Sequence, residues 1–170
     1  MTNAIASLAI PSLAIVEGDV LGGGAELLVS CDFRLGVTGK YLKIPPAAVG
    51  LCYPVEGIPR MTQRLGSTLP RKLMLTTESV SFEELAQHNA FDWLVPSAEI
   101  KAESEAVIAR LTGLAPLSLT SMLAIIKSVE EGSFDLITAQ AMADRCSQSK
   151  DLSEGLLAIR EKRVPTFKGE

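Results

Sequence analysis

Three consecutive glycines, Gly22-Gly23-Gly24, stand just ahead of a carboxylate, Glu26, within Leu21-Gly22-Gly23-Gly24-Ala25-Glu26. Glycine lets a backbone turn sharply and approach a ligand with no Cβ in the way. If a helix starts here, its first-turn N–H groups have no partner inside the helix, and such donors favour an oxyanion or a phosphate. A carbonyl held against them is easier to enolise or attack, because the charge developing on oxygen meets fixed dipoles. Glu26 is close enough in sequence to move a proton on the same group. The residues alone leave a second reading open, a plain strand-to-helix turn in which the helix dipole favours Glu26.

Other chemistries find little support. His88 is the only histidine and lies in a helix-like stretch, Glu83 to His88, where it reads as a surface or helix-end residue; a His-dependent triad is not expected. Cys31, Cys52 and Cys146 form no CxxC pair and have no histidine at ligand spacing. They are expected as buried thiols in a reducing cytoplasm, and no metal site is expected.

The elements that would position the glycine turn are readable. Leu13-Ala14-Ile15-Val16 is a short apolar run of the kind buried on both faces of a parallel sheet, and helical spacing resumes at Leu27 and Leu28. A second strand follows at Cys31-Asp32-Phe33-Arg34-Leu35, and Phe91 to Val95 is a strand candidate stopped by Pro96. Ile5, Leu8 and Ala9 have the spacing of a short helix that stops before Pro11; with no basic segment ahead of it, this stretch is not expected to be a signal peptide. Ser81-Phe82-Glu83-Glu84 has the form of a capping box. Ile100, Val107, Ile108 and Leu111 share one face of a helix started by Ser97 and closed by Gly113; Leu119, Met122, Leu123 and Ile126 repeat the pattern before Gly132.

The order of these segments resembles the crotonases, the enoyl-CoA hydratase/isomerase superfamily. The likeness is carried by Pro11 to Gly18, Leu21 to Leu27, Cys31-Asp32-Phe33-Arg34, Gln63-Arg64-Leu65-Gly66, Leu75-Thr76, Ser81 to Ala86, Leu94-Val95-Pro96 and Glu161-Lys162-Arg163. It implies an α/β fold, the C-terminal portion of a crotonase-like fold, in one domain over 1–170: an α/β part over about 1–96 and a helical oligomerisation region over 97–170. The resemblance makes Gly23 an oxyanion-hole N–H and Glu26 the acid/base, and places Gly22, Gly24 and Lys162 toward coenzyme A, Lys162 against its phosphates. Glu56 is the nearest alternative carboxylate.

Two departures qualify this. Crotonases carry, ahead of the region matched here, an N-terminal third with the first strands, most of the adenine pocket and the other oxyanion donor. Pro46, in Lys43-Ile44-Pro45-Pro46, stands where hydratases place a second catalytic glutamate, and proline cannot carry a proton. Losing one oxyanion donor costs about 2.7–4 kcal/mol, and losing the groups that orient a substrate forfeits part of the roughly 7–11 kcal/mol that orientation supplies. The expectation is a protein acting on or binding an acyl-CoA thioester, with an isomerase-type proton shift favoured over hydration and with weak or no activity in isolation. The alternative is a non-catalytic scaffold or a subunit of a hetero-oligomeric crotonase. No covalent cofactor is expected, and the coenzyme A thioester enters as substrate or ligand.

Composition agrees with a globular chain. Its 170 residues are 47% hydrophobic and 5% aromatic, with a mean hydropathy of +0.26. Excess aliphatic surface suggests subunit contacts: a homotrimer or hexamer, or a complementary chain covering the open sheet edge. A net charge of −4 argues against nucleic acid or an anionic membrane as partner, and no apolar run reaches the length of a membrane span.

Overall fold

The apolar run Leu13–Val16 forms strand β1, and the segment after Asp32 forms β3, Phe33–Val37. In this computed structural model, which describes residues 1–170, β1 pairs in parallel with β3, and β3 in parallel with β6, Trp93–Val95, giving the order β1-β3-β6. Alternation along these strands sends Leu13, Leu35, Val37, Trp93 and Val95 to one face with Ile100, and Ala14, Val16 and Leu94 to the other, against the larger core. A second small sheet joins β2 (Val20–Leu21) in parallel to β4 (Tyr41–Lys43), which pairs antiparallel with β5 (Val80–Ser81).

The chain divides into two compact units, Met1–Leu8 with Ser12–Glu105, and Ala9–Pro11 with Ala106–Glu170. The first holds both sheets, α1 (Thr2–Ala6), α2 (Gly23–Ser30), α3 (Gly57–Leu65), α4 (Thr68–Arg71) and α5 (Phe82–Gln87). Helix α3 buries Gly57, Met61 and Leu65 at intervals of four, one stripe of a helix facing the core. Phe82 and Phe91 pack with tilted rings, centroids 4.5 Å apart, close over Gly36, where a Cβ would lie 2.6 Å from the Phe91 ring. Arg34 is buried in β3; Asp92 accepts its backbone N–H at 2.8 Å and its Nη2 at 3.3 Å, while Nε and Nη1 meet no acceptor within the chain.

In the second unit α7 (Pro116–Glu130) packs on α8 (Leu136–Ser147), and α8 on α9 (Lys150–Glu161); α6 (Ile100–Thr112) spans the division at Glu105. Asp135 caps α8 by accepting the Thr138 N–H at 2.7 Å, and Ser149 caps α9 by accepting that of Leu152 at 3.1 Å. The C-terminal tail is tied to α9: Asp151 accepts the N–H groups of Lys168 and Gly169, both at 2.8 Å, and Arg163 forks onto both oxygens of Glu154 at 2.6 and 2.8 Å. Arg163 and the Thr166 N–H hold the Glu154 carboxyl down at about 2.

Several expectations change. The N-terminal helix ends at Ala6, before Leu8 and Ala9. Ile108, Met122 and Ile126, which the spacing places on apolar helix faces, are exposed. Ser81 does accept the Glu84 N–H at 3.2 Å, but the Glu84 carboxylate goes to Lys72, so only half of the capping box forms. Cys52 is exposed and Cys31 and Cys146 are only half-buried, so none is the fully buried thiol expected; all three are free. No single helix is long and apolar enough to cross a membrane.

Candidate functional site

Helix α2 begins where the three glycines predict. Gly22 adopts φ +51, a conformation that a side chain would strain. Its N–H donates to the Lys43 carbonyl at 2.9 Å and its carbonyl accepts the Tyr53 hydroxyl at 3.3 Å. The turn is therefore clamped from β4 on one side and from the Tyr53 loop on the other. The Ala25 N–H bonds back to the Gly22 carbonyl at 3.1 Å, which leaves the Gly23 and Gly24 amides with no acceptor in the chain. Nothing lies within 4 Å of a Cβ position on Gly23, so the space beside that residue is open. These are unpaired donors at a helix start, the arrangement that takes a negative oxygen.

Glu26, one turn on, is 8% exposed. Its Oε1 accepts from the Thr2 hydroxyl at 2.8 Å and from Arg60 Nη1 at 3.0 Å. A second nitrogen of Arg60 donates to the Asn3 side-chain carbonyl, and the Asn3 amide donates to Glu56 Oε2 at 2.8 Å. Three elements thus meet in one polar chain: α1 supplies Thr2 and Asn3, α2 supplies Glu26, and α3 with its preceding residue supplies Arg60 and Glu56. Gly57 makes the approach possible, because a Cβ there would stand 2.8 Å from the Tyr53 ring and 3.1 Å from the Glu26 carboxyl. Burial, with the Glu26 charge adding to it, pushes the Tyr53 hydroxyl up to about 12, so it stays protonated as a donor at neutral pH.

Beside Tyr53 lies a cavity of about 390 Å³, walled mainly by Ile44, Pro46, Tyr53, Ile58, Met74 and Leu75. Pro46 opens a 3-10 turn, Pro46–Val49, and contributes an apolar wall where a hydratase-like reading wanted a carboxylate. Of the candidate residues, Gly22, Gly23, Gly24, Glu26 and Glu56 belong to the first unit, and Glu26 and Glu56 join through Arg60 and Asn3. The Gly22 amide is already engaged by Lys43. Lys162 is in the second unit, exposed, ending α9 at φ +55. No group of three or more His, Cys, Asp or Glu side chains is placed to hold a metal ion.

Arg60, Thr2, Asn3 and Tyr53 were not candidates from sequence. Arg60 is 34 residues from Glu26, and nothing in the spacing links the two. The one available signal was Gly57, a glycine at the start of α3 where the absence of a side chain admits a close approach of other atoms.

A sequence profile of the family described as Enoyl-CoA hydratase/isomerase matches residues 1–170. The chain is 28% identical to the mitochondrial methylglutaconyl-CoA hydratase of Mus musculus over 99% of its own length and 55% of the relative's. It is 29% identical to the mitochondrial enoyl-CoA hydratase domain-containing protein 2 of Bos taurus, covering 98% of this chain and 58% of that one. Among solved structures, an enoyl-CoA hydratase/isomerase family member superposes with a TM-score of 0.91 at 25% identity, covering 98% of this chain and 63% of the other. An enoyl-CoA hydratase/carnithine racemase from Magnetospirillum magneticum superposes at 0.94 with 24% identity, over 99% and 63%. The chain therefore has the crotonase fold and spans a little over half the length of the curated relatives it matches.

Proposed function

For this chain, which belongs to the enoyl-CoA hydratase/isomerase family, we propose that the first unit forms part of a site for an acyl-CoA thioester and moves a proton on the carbons beside its carbonyl. The observation that carries this reading is the pair of acceptor-free amides at Gly23 and Gly24 next to a buried Glu26. A thioester oxygen against the Gly23 amide gains stabilisation as negative charge builds on it. Glu26, ion-paired to Arg60 as a carboxylate, is in the form that accepts a proton from carbon and can return it to a neighbouring carbon. That double-bond shift needs one proton carrier. Hydration usually employs a second carboxylate to handle water, and Pro46 offers none, so isomerisation is favoured. Glu56, joined through Asn3, is the nearest reserve. The 390 Å³ cavity would take the acyl chain.

A second reading is supported by the same carboxylate: Glu26 Oε1 already accepts from Thr2 and Arg60. On that view the chain is a non-catalytic binding or scaffold protein, and the exposed apolar residues of α7 to α9 meet further copies of itself or a complementary chain. Incubating the chain with a 3-enoyl-CoA and following appearance of the conjugated 2-enoyl product separates the two. Turnover that falls at least about a hundredfold in Glu26→Gln supports the enzyme. Binding without turnover supports the scaffold, and an equally active variant removes Glu26 from the mechanism.

A further inference from the structure

The cavity beside Tyr53 has an uneven lining. Ile44 is fully buried and Tyr53 nearly so, while Ser67 and Arg71 stand on its exposed side. Arg71 is the only charged residue in the wall. Its neighbours in this part of the chain have found carboxylates: Arg60 lies on Glu26 at 3.0 Å, and Lys72 lies on Glu84. The Arg71 guanidinium, in the last turn of α4, has no hydrogen bond or ion pair within the chain. Ser67 precedes it by four residues, one helical turn, and adds a hydroxyl on the same side. An apolar interior with a single unpaired guanidinium at its rim complements a ligand whose body is hydrocarbon and whose end is an anion, and a guanidinium fork matches a carboxylate with two parallel donors.

We infer that Arg71 is a specificity-determining residue and that the site takes acyl thioesters whose acyl group ends in a free carboxylate, in preference to simple fatty acyl groups. The inference rests on the reading of the first unit as an acyl-CoA site. It adds which acyl class that site selects. The thioester lies at the Gly22–Gly23 turn, which Tyr53 joins to the cavity through its bond to the Gly22 carbonyl, the hydrocarbon follows the cavity wall, and the terminal carboxylate meets Arg71. A phosphate of coenzyme A is the other anion that Arg71 could meet, and the test separates the two sources.

The test is calorimetric titration of the whole chain with glutaryl-CoA, valeryl-CoA and free coenzyme A, repeated on Arg71→Gln and Arg71→Lys. The first two ligands have the same carbon count and differ by the terminal carboxylate. Glutaryl-CoA is expected to bind about fivefold more tightly than valeryl-CoA, the scale of a charge pair at a solvent-exposed rim. The ratio should fall to about one in Arg71→Gln and persist in part in Arg71→Lys, which keeps the charge without the fork. Equal affinity of the two acyl-CoAs in the unaltered chain overturns the inference while leaving the thioester site intact. So does an Arg71→Gln variant that weakens free coenzyme A as much as glutaryl-CoA, since Arg71 would then be meeting phosphate. Binding of none of the three overturns the acyl-CoA reading itself, and this inference with it.

Discussion

In the first unit α2 buries Ala25, Glu26, Leu28, Val29 and Ser30, and α3 buries Gly57, Met61 and Leu65; in the second unit neither α7 nor α8 buries a single residue. The apolar residues of the two regions are similar in kind, yet Leu42, Met61 and Leu73 of the first are at most 1% exposed, whereas Ile126, Leu136 and Ile137 of the second range from 55% to 80%. Polar groups differ too. The first unit holds an ion pair inside, between Glu26 and Arg60, and leaves two nitrogens of Arg34 without an acceptor; the second forks Glu154 with Arg163 at the surface and keeps one buried carboxylate, Asp151, which two tail amides satisfy. The difference teaches where each unit's stability and function reside. A unit with a buried core can carry polar groups inside and use them for chemistry. A unit whose helix faces remain open has local capping and surface pairs to hold it, and its apolar area is available for contact with another surface.

The largest effect expected from this contrast is in the first unit. Asp92→Ala removes the acceptor of the buried Arg34 and leaves that cation without its partner, a loss of about 1.5–3 kcal/mol in a urea titration. Gly36→Ala comes next. Its Cβ would stand 2.6 Å from the Phe91 ring, and the Phe82–Phe91 pair must shift, at a cost of roughly 1–3 kcal/mol.

Tyr53 gives a pH-dependent test. Its hydroxyl titrates at about 12 in the folded chain against 10 for an ordinary tyrosine, so the unfolded chain releases this proton first as pH rises. The contribution is intact below pH 10 and is lost as pH climbs from 10 towards 12. Urea midpoints measured at pH 8 to pH 11 should fall less steeply in Tyr53→Phe than in the unaltered chain, which checks that the hydroxyl is buried beside Glu26. The smallest effect belongs to the second unit. Ile126→Gln, on an open face of α7, should change monomer stability by no more than about 0.5 kcal/mol. A weakened self-association in sedimentation with the same substitution would show that this face meets other copies. A loss comparable to that of Gly36→Ala would show instead that the face is covered within the chain.

How much of this could be read from sequence depends on range. The run Leu13–Val16 is a strand with the boundaries its apolar residues predict, and the first turn of α2 holds Gly23 to Glu26 as the glycines predict, because both signals lie within a few residues of one another. The strands Val20–Leu21, Tyr41–Lys43 and Val80–Ser81 were not legible, since two or three residues carry no periodicity and become strands only through one another. Thr2 and Asn3 carry no signal of a site in the sequence, because their partners lie 24 and 53 residues away. The spacing of Met122 and Ile126 correctly marks an apolar helix face, but periodicity says only that a face is apolar, not that this chain covers it.

By itself, then, the order of residues determined the strand-glycine-helix turn with its acid, the family to which the chain belongs and the proline that stands in place of a second carboxylate, all matters of local conformation or side-chain chemistry. Only the tertiary structure decided that Glu26 meets Arg60 and Thr2, that Gly57 admits its carboxyl beside Tyr53, and which apolar faces stay open. Those outcomes depend on distances between segments far apart in the chain, and the packing of the whole unit sets such distances.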